Sequence, residues 1–125
     1  MTSGVTAAVP RPVRRAAGRA ARTWGAATSR WRPLPDFLVV GTKRGGTTSL
    51  FRALEQHPDV VPMVPAAQGT KSPHFFDLHH DRGERWYRSY FAVGARRRDG
   101  PDGRRRLTGE ASPYYLFHPH APTRI

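Results

Sequence analysis

Apolar residues in this chain come in short runs, and their spacing divides it into elements. Phe37-Leu38-Val39-Val40 is a continuous apolar run between Pro35 and Gly41. A run this short, bounded by turn formers, predicts a strand buried on both faces, as in a parallel sheet. From Thr47 to His57 the apolar residues fall at Leu50, Phe51 and Leu54, a helical spacing. The helix should end near His57, because the residue before a proline avoids the α region. Val60-Val61 predicts a second short strand and Leu107-Thr108 a third, leading to Gly109-Glu110. Met63 to Gly69 reads as loop, and His74-Phe75-Phe76 as an apolar patch in a loop or short strand. Glu84 to Phe91 reads as a helix with Trp86, Tyr87, Tyr90 and Phe91 crowding one side. Pro113 to Phe117 is aromatic-rich, and Pro122 to Ile125 reads as a helix that has only begun.

The first 35 residues lack such a pattern. They run Ala, Arg, Pro, Gly, Thr and Ser, and only 16–27 suggest a weak basic helix with Trp24 on one side. Residues 1–35 are therefore expected to form a basic, disordered arm, with the folded domain over 36–125. Among 125 residues this leaves one small domain.

Charge sharpens the contrast. The arm holds seven Arg and no acidic residue, and residues 36–125 hold 14 basic and nine acidic residues, within a formal net charge of +12. Such a field attracts anions: nucleic acid, an anionic membrane surface, or small molecules bearing phosphate or sulfate. Of the 21 basic residues 19 are Arg, which with abundant Ala, Gly and Pro reads as a coding bias. No specific nucleic acid is expected as a partner, and only a weak association of residues 1–35 with anionic membrane. The chain has no Cys, which excludes disulfides, thiolate metal sites and thiol catalysis. No apolar run approaches bilayer length and no apolar h-region follows the basic start, so a cytoplasmic location is expected, peripheral to the membrane at most. His79-His80, with Asp77 and Asp81 beside them, lack converging ligand spacings, and no metal is expected.

The informative stretch is the loop between the first strand and the first core helix, Gly41-Thr42-Lys43-Arg44-Gly45-Gly46-Thr47-Thr48-Ser49. Glycines let backbone turn sharply and approach an anion closely. The helix behind them offers free N–H groups and the positive end of its dipole. Lys43 and Arg44 add charge, and the hydroxyls of Thr47 and Thr48 add donors. A nucleoside-triphosphate loop reads G-x-x-x-x-G-K-[ST]. Gly41, Gly46 and Thr48 fit it, but Thr47 stands where the lysine belongs. A kinase-like protein and a non-catalytic basic module that binds nucleic acid or membrane remain the alternatives.

Residues 37–50 resemble the 5′-phosphosulfate loop of the sulfotransferases that use 3′-phosphoadenosine-5′-phosphosulfate (PAPS). The nearest group is the heparan-sulfate-type branch and its bacterial relatives. Further segments match in order: His57-Pro58; Lys71-Ser72-Pro73-His74-Phe75-Phe76-Asp77; Gly109-Glu110-Ala111-Ser112-Pro113-Tyr114-Tyr115; and Ala121-Pro122-Thr123-Arg124-Ile125. The resemblance covers residues 36–125.

It implies an α/β fold with a P-loop-like parallel sheet flanked by helices, incomplete at the C-terminus. It also implies transfer of a sulfuryl group from PAPS to a hydroxyl or amine on a small-molecule or glycan acceptor. Residues 41–49 would cradle the donor, with Lys43 or Arg44 as the loop cation. The family has a lysine at the position of Arg44 and commonly a Glu at that of Ser72. A serine is no base at neutral pH, which leaves His74 and Glu110 as candidates for accepting the acceptor's proton. The segments that bind the donor's 3′-phosphate and adenine are expected beyond Ile125, so weak or no turnover is expected of this chain.

Overall fold

The computed structural model describes residues 10–64, 71–94 and 103–125. The elements are α1 (Arg11–Ala27), β1 (Phe37–Val39), α2 (Thr47–Glu55), α3 (Glu84–Arg88), β2 (Gly109–Ala111) and α4 (Ala121–Arg124), with 3-10 turns at Ser29–Trp31, His80–Arg82 and Pro113–Leu116. This is an α/β arrangement. β1 and β2 pair in parallel, with Phe37 opposite Gly109, Leu38 opposite Glu110 and Val39 opposite Ala111. A parallel bridge joins Val60 to Leu107 just before β2. The ring of Phe37 lies over Gly109 so closely that a Cβ there would sit 2.5 Å from Phe37 Cδ2. Glycine at this position is thus a packing requirement.

α2 starts where the sequence predicts. Gly46 takes a left-handed conformation (φ 84°) as its N-cap, a turn that costs glycine no Cβ clash. The helix closes as Gln56 and His57 bond back to the carbonyls of Ala53 and Leu54, just ahead of Pro58. Its buried face carries Phe51, which joins Met63, Phe75, Phe76, Tyr87, Phe91 and Tyr115 in an aromatic-rich core. Phe75 stacks on Tyr87 with centroids 4.3 Å apart. Tyr87 in turn meets Phe91 edge to face at 5.3 Å.

Three expectations change. β1 is half-buried rather than buried on both faces, because among the described residues it has only β2 as a neighbour. The late strand is Gly109–Ala111 and not Leu107-Thr108, which places Glu110 inside the strand instead of after it. Asp36 explains the shift: its backbone N–H donates to the Thr108 carbonyl (2.6 Å) while its carboxylate takes the Thr108 N–H (3.0 Å). These bonds end the ladder at Thr108.

The third change concerns the basic arm, which was expected to be disordered with a weak helix over 16–27. Residues 11–27 form a 17-residue helix with Pro12 in the first turn, where its missing N–H costs nothing. α1 lies on α3. Gly25 is buried against Ser89, whose Cα would be 2.6 Å from a Cβ at position 25. Arg22 stacks its guanidinium 3.5 Å from the Tyr90 ring centroid. The turn after α1 is pinned by buried Arg32, which donates to Thr28 Oγ1 (2.9 Å) and to the Phe91 carbonyl (2.7 Å). Arg88 donates to the Arg32 carbonyl (2.6 Å). These polar contacts carry no apolar periodicity, so the hydrophobic pattern did not announce them.

The run 96–106 holds six Arg. Positions 96–102 lie outside the described residues, but Arg105 pairs with Asp36 Oδ1 at 2.7 Å and Arg104 approaches Asp59 Oδ2 at 3.8 Å.

Candidate functional site

The parallel strands β1 and β2 deliver two segments to the same edge of the sheet. At the carboxyl end of β1 the chain enters the loop at Gly41. At the carboxyl end of β2 it enters Ser112 and the turn Pro113–Leu116. The two meet directly: the Leu116 N–H donates to the Val40 carbonyl (2.9 Å), and the Leu116 side chain covers Gly41, where a Cβ would approach it to 2.8 Å. In open parallel sheets ligands bind at this carboxyl edge.

The loop itself is a surface turn. Residues 42–46 are exposed, and the Gly45 N–H donates to the Thr42 carbonyl at 2.8 Å. Arg44 adopts a left-handed backbone (φ 62°). The first intrahelical bond of α2 runs from Leu50 N to Gly46 O (3.0 Å), and Gly46 makes no side-chain cap. The amides of Thr47, Thr48 and Ser49 therefore have no partner inside the helix. Thr47 is buried; Thr48 and Ser49 are exposed.

The second wall is Lys71 to Asp77, laced to β2. The Ala111 N–H donates to the Lys71 carbonyl (3.0 Å), and Ser72 Oγ donates to the Ala111 carbonyl. The His74 N–H donates to Ser112 Oγ (3.1 Å), and the Phe75 N–H to the Tyr115 hydroxyl (2.9 Å). His74 has a left-handed backbone (φ 53°), which starts a turn whose carbonyl accepts from Leu78 N and His79 N. Its Nδ1 lies 3.0 Å from Asp77 Oδ2. The Asp77 side chain is wholly buried, while a third of the His74 side chain faces solvent.

Beneath this segment is Glu110, fully buried. Its Oε1 accepts from Tyr87 (2.8 Å) and Tyr115 (2.7 Å), and its Oε2 accepts from Ser112 (2.6 Å). Burial pushes the carboxyl above its ordinary value, opposed by these three hydroxyl donors. Both tyrosines are pushed far up, first by burial and then by the Glu110 charge. They stay protonated donors. Ser112 links the network to His74 through the backbone, so the core carboxylate fixes the height of the histidine.

The structure thus joins two of the sequence candidates unequally. His74 reaches the surface; Glu110 has no solvent-accessible surface and acts from below. Asp77 and the two tyrosines were not named as site residues. Asp77 at i+3 from His74 was the available signal, and the tyrosines gave none without the fold.

No family model matches the chain. Over 94 residues, 75% of its length, it is 42% identical to the mouse "Heparan sulfate glucosamine 3-O-sulfotransferase 6". Over this segment the chain is similar to sulfotransferases. The human "Heparan sulfate glucosamine 3-O-sulfotransferase 3B1" is 39% identical over 92 residues, and the Dictyostelium discoideum "Membrane-associated sulfotransferase kil1" 30% identical over 92 residues. The chain spans about a fifth of the length of these relatives: 23%, 20% and 17%. Among the described residues, no helix is long and apolar enough to cross a membrane, and no group of His, Asp or Glu is arranged to hold a metal.

Proposed function

We propose that this segment forms the donor-phosphosulfate and proton-accepting side of a PAPS-dependent sulfotransferase acting on a hydroxyl or amine of a glycan acceptor. The observation that carries the reading is that the turn after β2 touches both sides: Leu116 lies against Val40 and Gly41 at the loop, and Ser112 holds the His74 N–H. The loop fits a phosphosulfate. Its exposed glycines leave room for an anion, and the start of α2 offers amides and a favourable dipole end. Lys43 and Arg44 add the charge needed where negative charge grows on the leaving phosphate oxygen. PAPS supplies an activated sulfuryl group; its sulfur–oxygen bond to phosphate breaks as the acceptor oxygen or nitrogen bonds to sulfur.

His74 accepts the acceptor's proton. Asp77 holds Nδ1, which leaves Nε2 as the base. Ser72, at the position where relatives of this kind commonly carry Glu, has its hydroxyl committed to the Ala111 carbonyl. Glu110 positions His74 through Ser112 and does not meet the acceptor. Relatives named as heparan sulfate sulfotransferases support a glycan acceptor.

The test is an NMR titration of the 125-residue chain with 3′,5′-ADP. The amides of Gly46 to Ser49 should shift, and the Lys43→Ala plus Arg44→Ala variant should lose at least about tenfold in affinity, as expected for charge-assisted bonds. Unchanged affinity in that variant, or shifts confined elsewhere, would remove the loop assignment. Tighter binding of ATP than of 3′,5′-ADP would favour a kinase-like protein, and salt-sensitive DNA binding that ignores 3′,5′-ADP a basic module.

A further inference from the structure

A cleft of about 830 Å³ is lined by α1, by Lys71 and Ser72, and by residues between His79 and Tyr90. One wall is Arg19 and Arg22 of α1; the other is Lys71, Ser72, His79 and Arg82, with Trp86 and Tyr90 as the floor. No carboxylate lines it among the described residues. Cations brought together this way repel one another, and the repulsion is relieved only by an anion or by solvent.

Arg22 gives the cleft its specificity. Its Nη2 donates to the Val64 carbonyl and its plane lies on the Tyr90 ring. Its Nη1 is buried and has no hydrogen-bond partner. A buried guanidinium N–H without an acceptor costs free energy that folding normally avoids. Burial also lowers the Arg22 pKa, opposed by Tyr90 and aided by the charge of Arg32. An acceptor atom at Nη1 would remove the deficit. On the opposite wall, Arg82 sits 5.5 Å over the Trp86 ring, held by it yet exposed. A fixed fork on one side and an exposed cation on the other suit an oxyanion with several oxygens.

We infer that α1 is a wall of a second anion site, in which Arg22, Lys71 and Arg82 take a sulfate, phosphate or carboxylate group carried by one of the reactants. The inference rests on the sulfotransferase reading for the source of that anion, not for the site. Ser72 and Lys71 connect the cleft in sequence to His74. An anionic substituent of the acceptor is one source of that anion. A donor phosphate is the other source of the same chemistry.

The experiment follows Trp86 fluorescence in the full chain with Trp24→Phe and Trp31→Phe, so that one tryptophan reports. The probes are a monosulfated disaccharide, its unsulfated counterpart, and 3′,5′-ADP. The sulfated disaccharide should change the signal and the unsulfated one should not. Arg22→Gln and Arg82→Gln should each weaken binding by about tenfold or more, and Arg15→Gln on exposed α1 should leave it unchanged. Arg82→Gln keeps the test decisive if loss of Arg22 loosens α1, which circular dichroism would reveal. A response to 3′,5′-ADP alone that fails in both variants would assign the site to the donor. A response to no probe, or equal weakening by Arg15→Gln, would overturn the site. The amide shifts at Gly46 to Ser49 read the phosphosulfate loop separately, so either claim can fail without the other.

Discussion

His74 Nδ1 and Asp77 Oδ2 stand 3.0 Å apart, one ring edge in solvent and the carboxylate wholly buried. A carboxylate only accepts, so the neutral ring must carry its proton on Nδ1 and expose Nε2 as the base. Asp77 Oδ1 also takes the Leu78 N–H at 2.7 Å. The Leu78 N–H keeps the His74 carbonyl at 3.0 Å, so Asp77→Ala should leave one donor, the His74 Nδ1–H, unanswered and cost about 1–2 kcal/mol in urea unfolding. Asp77→Asn should cost less but shift the ring toward the Nε2–H tautomer, read by 15N NMR of His74. A ring still protonated on Nδ1 in Asp77→Asn would mean that Asp77 does not orient it.

Glu110 makes stability depend on pH in an unusual direction. Its carboxyl is raised above the ordinary value of 4.5 by burial. The native state thus holds a proton that the unfolded state releases, and stability attached to this group is complete below about pH 4.5. It is lost as pH climbs through the raised native value. Glu110→Gln removes the titration while keeping the shape. The stability of the native chain minus that of Glu110→Gln should fall with rising pH above 4.5. A difference that rises instead would show that the three hydroxyl donors outweigh burial.

The two tyrosines that share Glu110 Oε1 are not equivalent. Tyr115 also takes the Phe75 N–H at 2.9 Å, while Tyr87 has the carboxylate alone. Tyr115→Phe should cost about 3 kcal/mol, since it strands a backbone donor and weakens the carboxylate; Tyr87→Phe should cost about 1–2 kcal/mol. Tyr115→Phe should also move the His74 amide resonance, through Ser112. Equal costs would break the proposed link between core and site.

What the sequence shows and hides follows from which forces fold each part. The strand-loop-helix unit at 37–55 is legible because a short apolar run, glycines and a helical apolar period all lie within a few residues. The register of β2 is not legible there, because it is set by Asp36, which is 72 positions from Thr108. His74 was visible as a candidate; its orientation depends on Ser112 and Asp77 and on a left-handed backbone that no apolar pattern encodes. α1 was read as an arm because Arg, Ala and Gly hide its contacts: Arg22 on Tyr90 and Gly25 on Ser89 are chosen by shape and charge, not hydrophobicity.

Arg44 separates backbone strain from charge. At φ 62° a side chain pays roughly 1–2 kcal/mol that glycine does not, while glycine loses about 0.5–1 kcal/mol of extra chain entropy. Arg44→Gly should thus leave thermal stability within about 1 kcal/mol of the native chain. If the exposed guanidinium serves the anion, the same variant should weaken 3′,5′-ADP binding, with the weakening reduced at high salt as screening grows. Full retention of affinity would transfer the role to Lys43.

The docking of α1 can be tested by one substitution made twice. Gly18 has nothing within 4 Å of a built Cβ, so Gly18→Ala adds only helix propensity and should stabilise by about 1 kcal/mol. Gly25 faces the Ser89 backbone, with Cα at 2.6 Å and the carbonyl at 2.9 Å from the same built atom. Backbone cannot swing aside, so the methyl group must push α1 away from α3. Gly25→Ala should destabilise by about 1–3 kcal/mol despite its better propensity. It should also lower the protection of α1 amides from hydrogen exchange. If both variants stabilise, the helix forms without resting on α3, and the cleft that Arg22 shares with Trp86 and Tyr90 goes with it.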